Sequence, residues 1–120
     1  MIEIKLDPVP KPRMTVADRW KKRPIVTRYF AFKDAITLIC KKNKFKLKDN
    51  YKVDFLIAMP KSWSKSKKKS LLGEPHKQKP DLDNLIKALN DCLLEEDKEV
   101  WSIEATKSWW DEGKILIWNK

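Results

Sequence analysis

A chain of 120 residues is long enough for one domain and too short for two. Hydrophobic residues make up 42% of it, including six Trp and four Phe, which is ample for a core, yet no run is apolar for long enough to span a bilayer. The formal net charge of +10 points to a polyanionic partner, nucleic acid before membrane, with plain solubility as the competing reason.

Only two glycines are present, which excludes a P-loop and a dinucleotide fingerprint. Cys40 and Cys92 stand far apart with no C-x-x-C pair, so a structural zinc site is not expected and buried, reduced thiols are. The N-terminus, MIEIKLDPVPKPR, lacks the apolar region of a signal peptide, and a cytoplasmic location is the expectation.

Ile2, Ile4 and Leu6 alternate with Glu3 and Lys5, which predicts a short strand closed by Asp7-Pro8. Pro8, Pro10, Pro12 and Pro24 then bracket a basic connection carrying Lys11, Arg13, Arg19, Lys21, Lys22 and Arg23. From about Thr27 to Lys42 the spacing predicts a helix. Tyr29, Phe32, Ile36, Ile39 and Cys40 share a face, and Lys41 and Lys42 suit the C-terminal end of its dipole. Tyr51, Val53, Phe55, Ile57 and Met59 alternate along a strand with one well-buried face, ended by Pro60.

Residues 60–79 hold seven lysines against one glutamate and read as a mobile basic loop, with a short helical turn after Ser62 or Ser64. Within it Trp63 is expected as an aromatic lid over the core rather than a wedge in DNA. His76, the only histidine, is expected as a solvated loop residue rather than a proton carrier.

Pro80-Asp81 opens a second helix with an apolar stripe of Leu82, Leu85, Ile86, Leu89, Cys92 and Leu93, and with Asp81 or Asp83 at the N-terminus, where carboxylates are favoured. From Val100 the period changes to two. Trp101, Ile103, Ala105 and Trp109 fall on one face, and Ser102, Glu104, Thr106 and Ser108 on the other. Asp111-Glu-Gly113 reads as a hairpin turn into a strand from Lys114 to Trp118. Trp101, Trp109, Trp110 and Trp118 are expected in the sheet core or at a dimer contact. The order β-α-β-loop-α-β-β predicts a single α+β domain over residues 1–120, with a mixed or antiparallel sheet packed by two main helices.

The charge is unevenly placed. Residues 81–104 hold eight of the seventeen acids and only two basic residues, Lys87 and Lys98. A passive polyanion binder gains nothing from acid beside its lysine-rich loop. A bound Mg²⁺ reverses that, because carboxylate oxygens hold the ion and the ion attracts a phosphate oxygen. Basic flanks around an acidic pocket suit a metal-dependent nuclease. Glu95-Glu96-Asp97 at the helix C-terminal end opposes the macrodipole, which a solvated end tolerates. Asp83 and Lys87, at i and i+4, form either an exposed ion pair or a carboxylate and ammonium serving one phosphate.

The run from Met59 to Lys107, with MPKSWSKSKKK, GEPHKQKPDLDNLIKALND and EDKEV, resembles the RusA family of Holliday junction resolvases. The upstream PKPRMTV is similar to the family's basic N-terminal segment, and together these matches cover roughly half the chain. The resemblance implies a small homodimeric crossover junction endodeoxyribonuclease of bacterial, prophage or phage origin. It would nick four-way DNA junctions symmetrically in recombination and repair, using Mg²⁺, with Mn²⁺ able to substitute. The family's catalytic aspartates fall on Asp81 and Asp83, its lysine on Lys87 and its third aspartate on Asp97. LLEEDKEV is shorter than the family's usual glycine-containing turn, which leaves Glu96 as the alternative to Asp97.

A helix over residues 82–94 sets its ends about 18 Å apart. Asp97 is therefore expected to join Asp81 and Asp83 of a second subunit, in metal sites shared across a dimer. Asp81, Asp83 and Asp97 are the expected metal ligands, and Lys87 offsets charge in the transition state. Lys11, Arg13, Lys61, Lys65, Lys67, Lys68, Lys69, Lys77 and Lys79 are the expected contacts to backbone phosphates. One competing reading is a non-catalytic basic nucleic-acid-binding module in which D-x-D only starts a helix. Another is a P-D…(D/E)-x-K nuclease, disfavoured because Glu104 and Lys107 would face opposite sides of a strand.

Overall fold

The computed structural model describes residues 1–15 and 23–120; Arg19, Lys21 and Lys22 of the basic connection lie outside the described residues. Strand β1 (Ile2–Ile4) buries both isoleucines and turns Glu3 outward. Helix α1 (Pro24–Lys42) starts three residues earlier than the periodicity suggests, because Pro24 is preorganised for the first helical position. Its buried stripe is Val26, Tyr29, Phe32, Ile36 and Cys40, and Asn43 closes it by donating to the Ile39 carbonyl from both its backbone N–H, at 3.1 Å, and its side chain, at 2.8 Å.

Strand β2 (Asn50–Ala58) turns Tyr51, Val53 and Phe55 into the core. The basic loop that follows contains a helix, α2 (Lys65–Leu71), whose N-cap Ser64 accepts the Lys67 N–H at 3.2 Å. Helix α3 (Leu82–Leu93) buries Leu85, Ala88, Leu89 and Asn90. A 3₁₀ turn (Asp97–Glu99) leads to β3 (Ser102–Trp110) and β4 (Lys114–Asn119).

The four strands form one mixed sheet in the order β1-β4-β2-β3. β4 is antiparallel to both β1 and β2, and β3 is parallel to β2. This corrects one expectation: Asp111-Glu-Gly113 does not close a β3–β4 hairpin, because β2 lies between them. Two strand spacings are about 9.6 Å, and four residue steps from Trp110 to Lys114 reach about 13–14 Å, so three linking residues suffice to cross the end of β2. The strand with the fullest buried alternation takes the centre, and the more polar β3 takes an edge.

That edge is partly covered by the chain leaving α2. Gly73 N–H donates to the Trp109 carbonyl at 2.8 Å, Trp109 N–H to the Glu74 carbonyl at 3.0 Å, and His76 N–H to the Lys107 carbonyl at 3.1 Å. The pairing draws His76 inward, which overturns the solvated-loop expectation. It is only 4% exposed, packed against Trp109 at 4.2 Å between ring centroids with the rings tilted by 55°. Trp63 packs on Trp109 at 4.8 Å, as a lid, with the Lys67 ammonium 4.1 Å from the Trp63 ring centre.

Trp109 is buried, while Trp110 and Trp118 are half-buried. Trp101 is not in the sheet core: it precedes the first residue of β3 and is 72% exposed. One core cluster joins α1 and α3 to the sheet through Tyr29, Phe32, Ile36, Leu85, Leu89, Val53, Phe55, Ile115 and Ile117. Both cysteines are free thiols, and burial pushes Cys40 up to about 11.

Candidate active site

Two contacts fix α3 and hence everything it carries. The Tyr51 hydroxyl of β2 donates to Asn90 Oδ1, tying the last turn of the helix to an inner strand of the sheet through a buried polar pair. At its start, Asp81 takes the N-cap position with extended backbone (φ −69°, ψ 142°) but makes no side-chain capping bond. Its carboxylate is exposed and uncommitted to the helix it begins. Asp83, in the first turn, is also exposed, with its Oδ2 3.8 Å from the Lys87 ammonium.

Two clefts flank this helix. The larger, about 650 Å³, brings Asp81 and Asn84 together with Asp7 and with four cationic side chains: Lys11, Arg13, Arg28 and Lys79. The smaller, about 300 Å³, is lined by Lys87, Asn90, Asp91 and Leu94 of the α3 side, with Glu95, Asp97 and again Lys11. Asp97 thus shares a cleft with Lys87 and not with Asp81. Glu96, its alternative, is paired with Lys98 at 3.1 Å and lines a third cleft on the far side of the turn. Among the described residues, no three His, Cys, Asp or Glu side chains converge to hold a metal ion. Asp81, Asp83 and Asp97 are therefore not gathered within one chain.

Lys11 separates the two clefts and is held at both ends. Its backbone N–H donates to the Asn84 carbonyl at 3.2 Å, and its ammonium donates to Asp91 Oδ1 at 3.2 Å. Asp91 also accepts the Tyr29 hydroxyl and faces Lys33 at 3.6 Å. The Tyr29 hydrogen bond, then the Lys11 hydrogen bond and the charges of Lys11 and Lys33, hold this carboxyl below its ordinary range, against the opposing effect of burial. Apart from Arg13 and Lys79 in the larger cleft, the remaining expected phosphate contacts line neither cleft. Lys61, Lys65, Lys67, Lys69, Lys77 and Lys79 are exposed, and Lys68 is half-buried.

Sequence reasoning missed Asp91, Asn84, Arg28, Asp7 and Lys107 as parts of this region. Asp91 had a signal: Asp83, Lys87 and Asp91 are spaced i, i+4 and i+8, one polar stripe along α3. Arg28 and Asp7 had none, because only the tertiary fold brings them to Asp81. Glu104 and Lys107 do face opposite sides: Glu104 pairs with Lys120 at 3.2 Å, whereas Lys107 reaches the Pro80 carbonyl at 2.7 Å.

No curated protein and no solved structure gave a match. The family model described as endodeoxyribonuclease RusA matches residues 5–118, nearly the whole of the chain. The protein belongs to the RusA family of endodeoxyribonucleases.

Proposed function

We propose that this nuclease is a divalent-metal-dependent homodimer that resolves four-way DNA junctions by paired symmetric nicks, in recombination and repair. The observation that carries the reading is Asp81: a helix-capping residue whose carboxylate caps nothing, in a cleft walled by Lys11, Arg13, Arg28 and Lys79. A carboxylate released from its structural task and ringed by cations suits a site where metal and phosphate meet.

The donor set fits a hard cation such as Mg²⁺, with Mn²⁺ as a substitute. Asp81 and Asp83 offer exposed oxygens at the start of α3, and Asp97, which shares the smaller cleft with Lys87, is the third donor. Such an ion supplies activation of water and neutralisation of charge gathering on the phosphate. The chain's own groups do the rest. Lys87, exposed beside Asp83, offsets charge on the reacting phosphate or leaving oxygen. Arg13, Arg28 and Lys79 hold the backbone of the scissile strand, and the α2 lysines engage the neighbouring arm. A homodimer sets two such sites about a two-fold axis, matching the symmetry of a junction.

The test uses a synthetic mobile four-way junction and a linear duplex of equal length, with and without Mg²⁺, beside an Asp83→Asn control. Symmetric nicks on the junction alone, dependent on metal and lost in Asp83→Asn with binding retained, are expected. Tight junction binding without cuts under any divalent ion would overturn the proposal and leave a binding module.

A further inference from the structure

Lys107 stands where the sheet calls for an apolar side chain. Strand pairing carries Ile4 across to Ile115, Ile115 to Phe55, and Phe55 to Lys107, and directly opposed residues project from the same face. The first three are fully buried core residues. The neighbouring row runs Ile2, Ile117, Val53 and Ala105. Lys107, on the edge strand, is half-buried, and its ammonium leaves the row for hydrogen-bond acceptors beside it.

Its partners are backbone carbonyls. Nζ donates to the Gln78 carbonyl and, at 2.7 Å, to the Pro80 carbonyl, and among the described residues no carboxylate pairs with it. These carbonyls belong to the residues that lead directly into Asp81. The Lys107 main chain holds the same segment, its carbonyl accepting the His76 N–H at 3.1 Å. Beyond Asp81, the Asp81 carbonyl accepts the Leu85 N–H at 3.2 Å. The backbone of Asp81 is thus gripped on both sides while its carboxylate stays free.

We infer that Lys107 is a positioning residue of the nuclease site: by holding the Gln78 and Pro80 carbonyls, its ammonium fixes the backbone from which Asp81 presents its carboxylate to the divalent ion. The inference rests on the metal-dependent reading above. An apolar residue at 107 would complete the core row and stabilise the sheet. It would leave the approach to Asp81 without its clasp.

The test compares wild type with Lys107→Met, which keeps the length of the side chain and removes its donors, and Lys107→Arg, which keeps the charge. Mn²⁺ binding is measured by the electron paramagnetic resonance of the free ion, junction affinity in EDTA, and cleavage against Mg²⁺ concentration. Lys107→Met should weaken Mn²⁺ binding by about 10- to 100-fold, the range for residues that orient metal ligands. It should raise the Mg²⁺ needed for half-maximal cleavage in parallel and leave junction affinity within about twofold. Lys107→Arg should shift both in the same direction by less, and it carries the test if Lys107→Met does not fold. Unchanged Mn²⁺ affinity in a folded variant, while wild type binds Mn²⁺ and cuts, overturns the role of Lys107 alone. A wild type that neither binds Mn²⁺ nor cuts overturns the underlying reading instead.

Discussion

Mixing two inactive variants decides whether each site is built from one chain or two. Mg²⁺ takes oxygen ligands at about 2.0–2.1 Å in an octahedron, so adjacent donors lie about 3 Å apart. Asp81 opens α3, and Asp97 shares a cleft with Lys87, Asn90, Asp91 and Leu94. The nearest of these to Asp81 along the helix is Lys87, six residues on, or about 9 Å of rise. Among the described residues no three His, Cys, Asp or Glu side chains converge on one ion, and a second copy is the simplest source of the missing carboxylate.

If Asp97 acts in trans, an Asp83→Asn chain paired with an Asp97→Asn chain has one site with both defects and one with neither. Each variant homodimer is dead, while the heterodimer, purified through two different tags, regains one of two sites. It should nick a junction at about half the wild-type rate per dimer and make single nicks in place of paired ones. The assay is denaturing electrophoresis of a junction labelled on each strand in turn. A heterodimer as inactive as its parents, or a wild-type chain that cuts as a monomer, refutes the shared site.

Three further outcomes follow from particular contacts. Asp91→Asn keeps an acceptor for Tyr29 and loses two half-exposed ion pairs, for about 1 kcal/mol. Asp91→Ala also strands the Tyr29 hydroxyl, for about 2–4 kcal/mol in total; equal urea midpoints for the two would refute the hydrogen bond's share. Because the folded Asp91 carboxyl lies below its unfolded value of 3.8, its contribution is complete above that pH and is lost as pH falls through the folded value. Gly113→Ala would place Cβ 2.7 Å from the Asp7 Cα and 1.9 Å from its Oδ1, so backbone must move. A cost of about 1–3 kcal/mol in urea unfolding is expected, and a loss under 0.5 kcal/mol would contradict the close approach. Burial, then the charge of Lys107, lowers the His76 pKa below 6.5, so the unfolded chain takes up the proton first. Stability should decline from pH 6.5 downward until the folded value is reached. An NMR titration placing the imidazole at or above 6.5 would refute this.

The parts of this fold that sequence reveals are those set by neighbours along the chain. The alternation of Tyr51, Val53 and Phe55 and the stripe of Leu85 and Leu89 both lead to the core, because a strand or helix must bury its apolar face somewhere. What could not be read depends on which strand lies beside which. Asp111-Glu-Gly113 has the chemistry of a tight hairpin, yet β2 takes the place between its flanking strands. His76 looks solvated among lysines, and only the pairing of residues 73–76 with the edge of β3 draws it against Trp109. Trp101 continues the alternation of β3 by one residue, but the strand begins after it, and the ring is exposed in the single chain. For the site, Asp81, Asp83 and Lys87 stand out by spacing, whereas three of the four cations around Asp81, namely Lys11, Arg13 and Arg28, come from the N-terminal segment and α1, far away in sequence.

Lys11 and Lys107 bear on the same problem at different points of the chain around α3. The Asp81 carboxylate makes no capping bond with the helix it begins, so no such bond orients it. Its precision has to come from the backbone beneath it. Lys107 clasps the chain before Asp81. Lys11 joins the first turn of the helix to its last through the Asn84 carbonyl and Asp91. In each case the lysine's charge is spent on protein groups rather than on DNA, and Asp81 keeps a fixed base and a free carboxylate. A strongly basic surface and a rigid acidic site therefore draw on the same residue type. That is why a count of lysines alone overstates how many of them are available to phosphate.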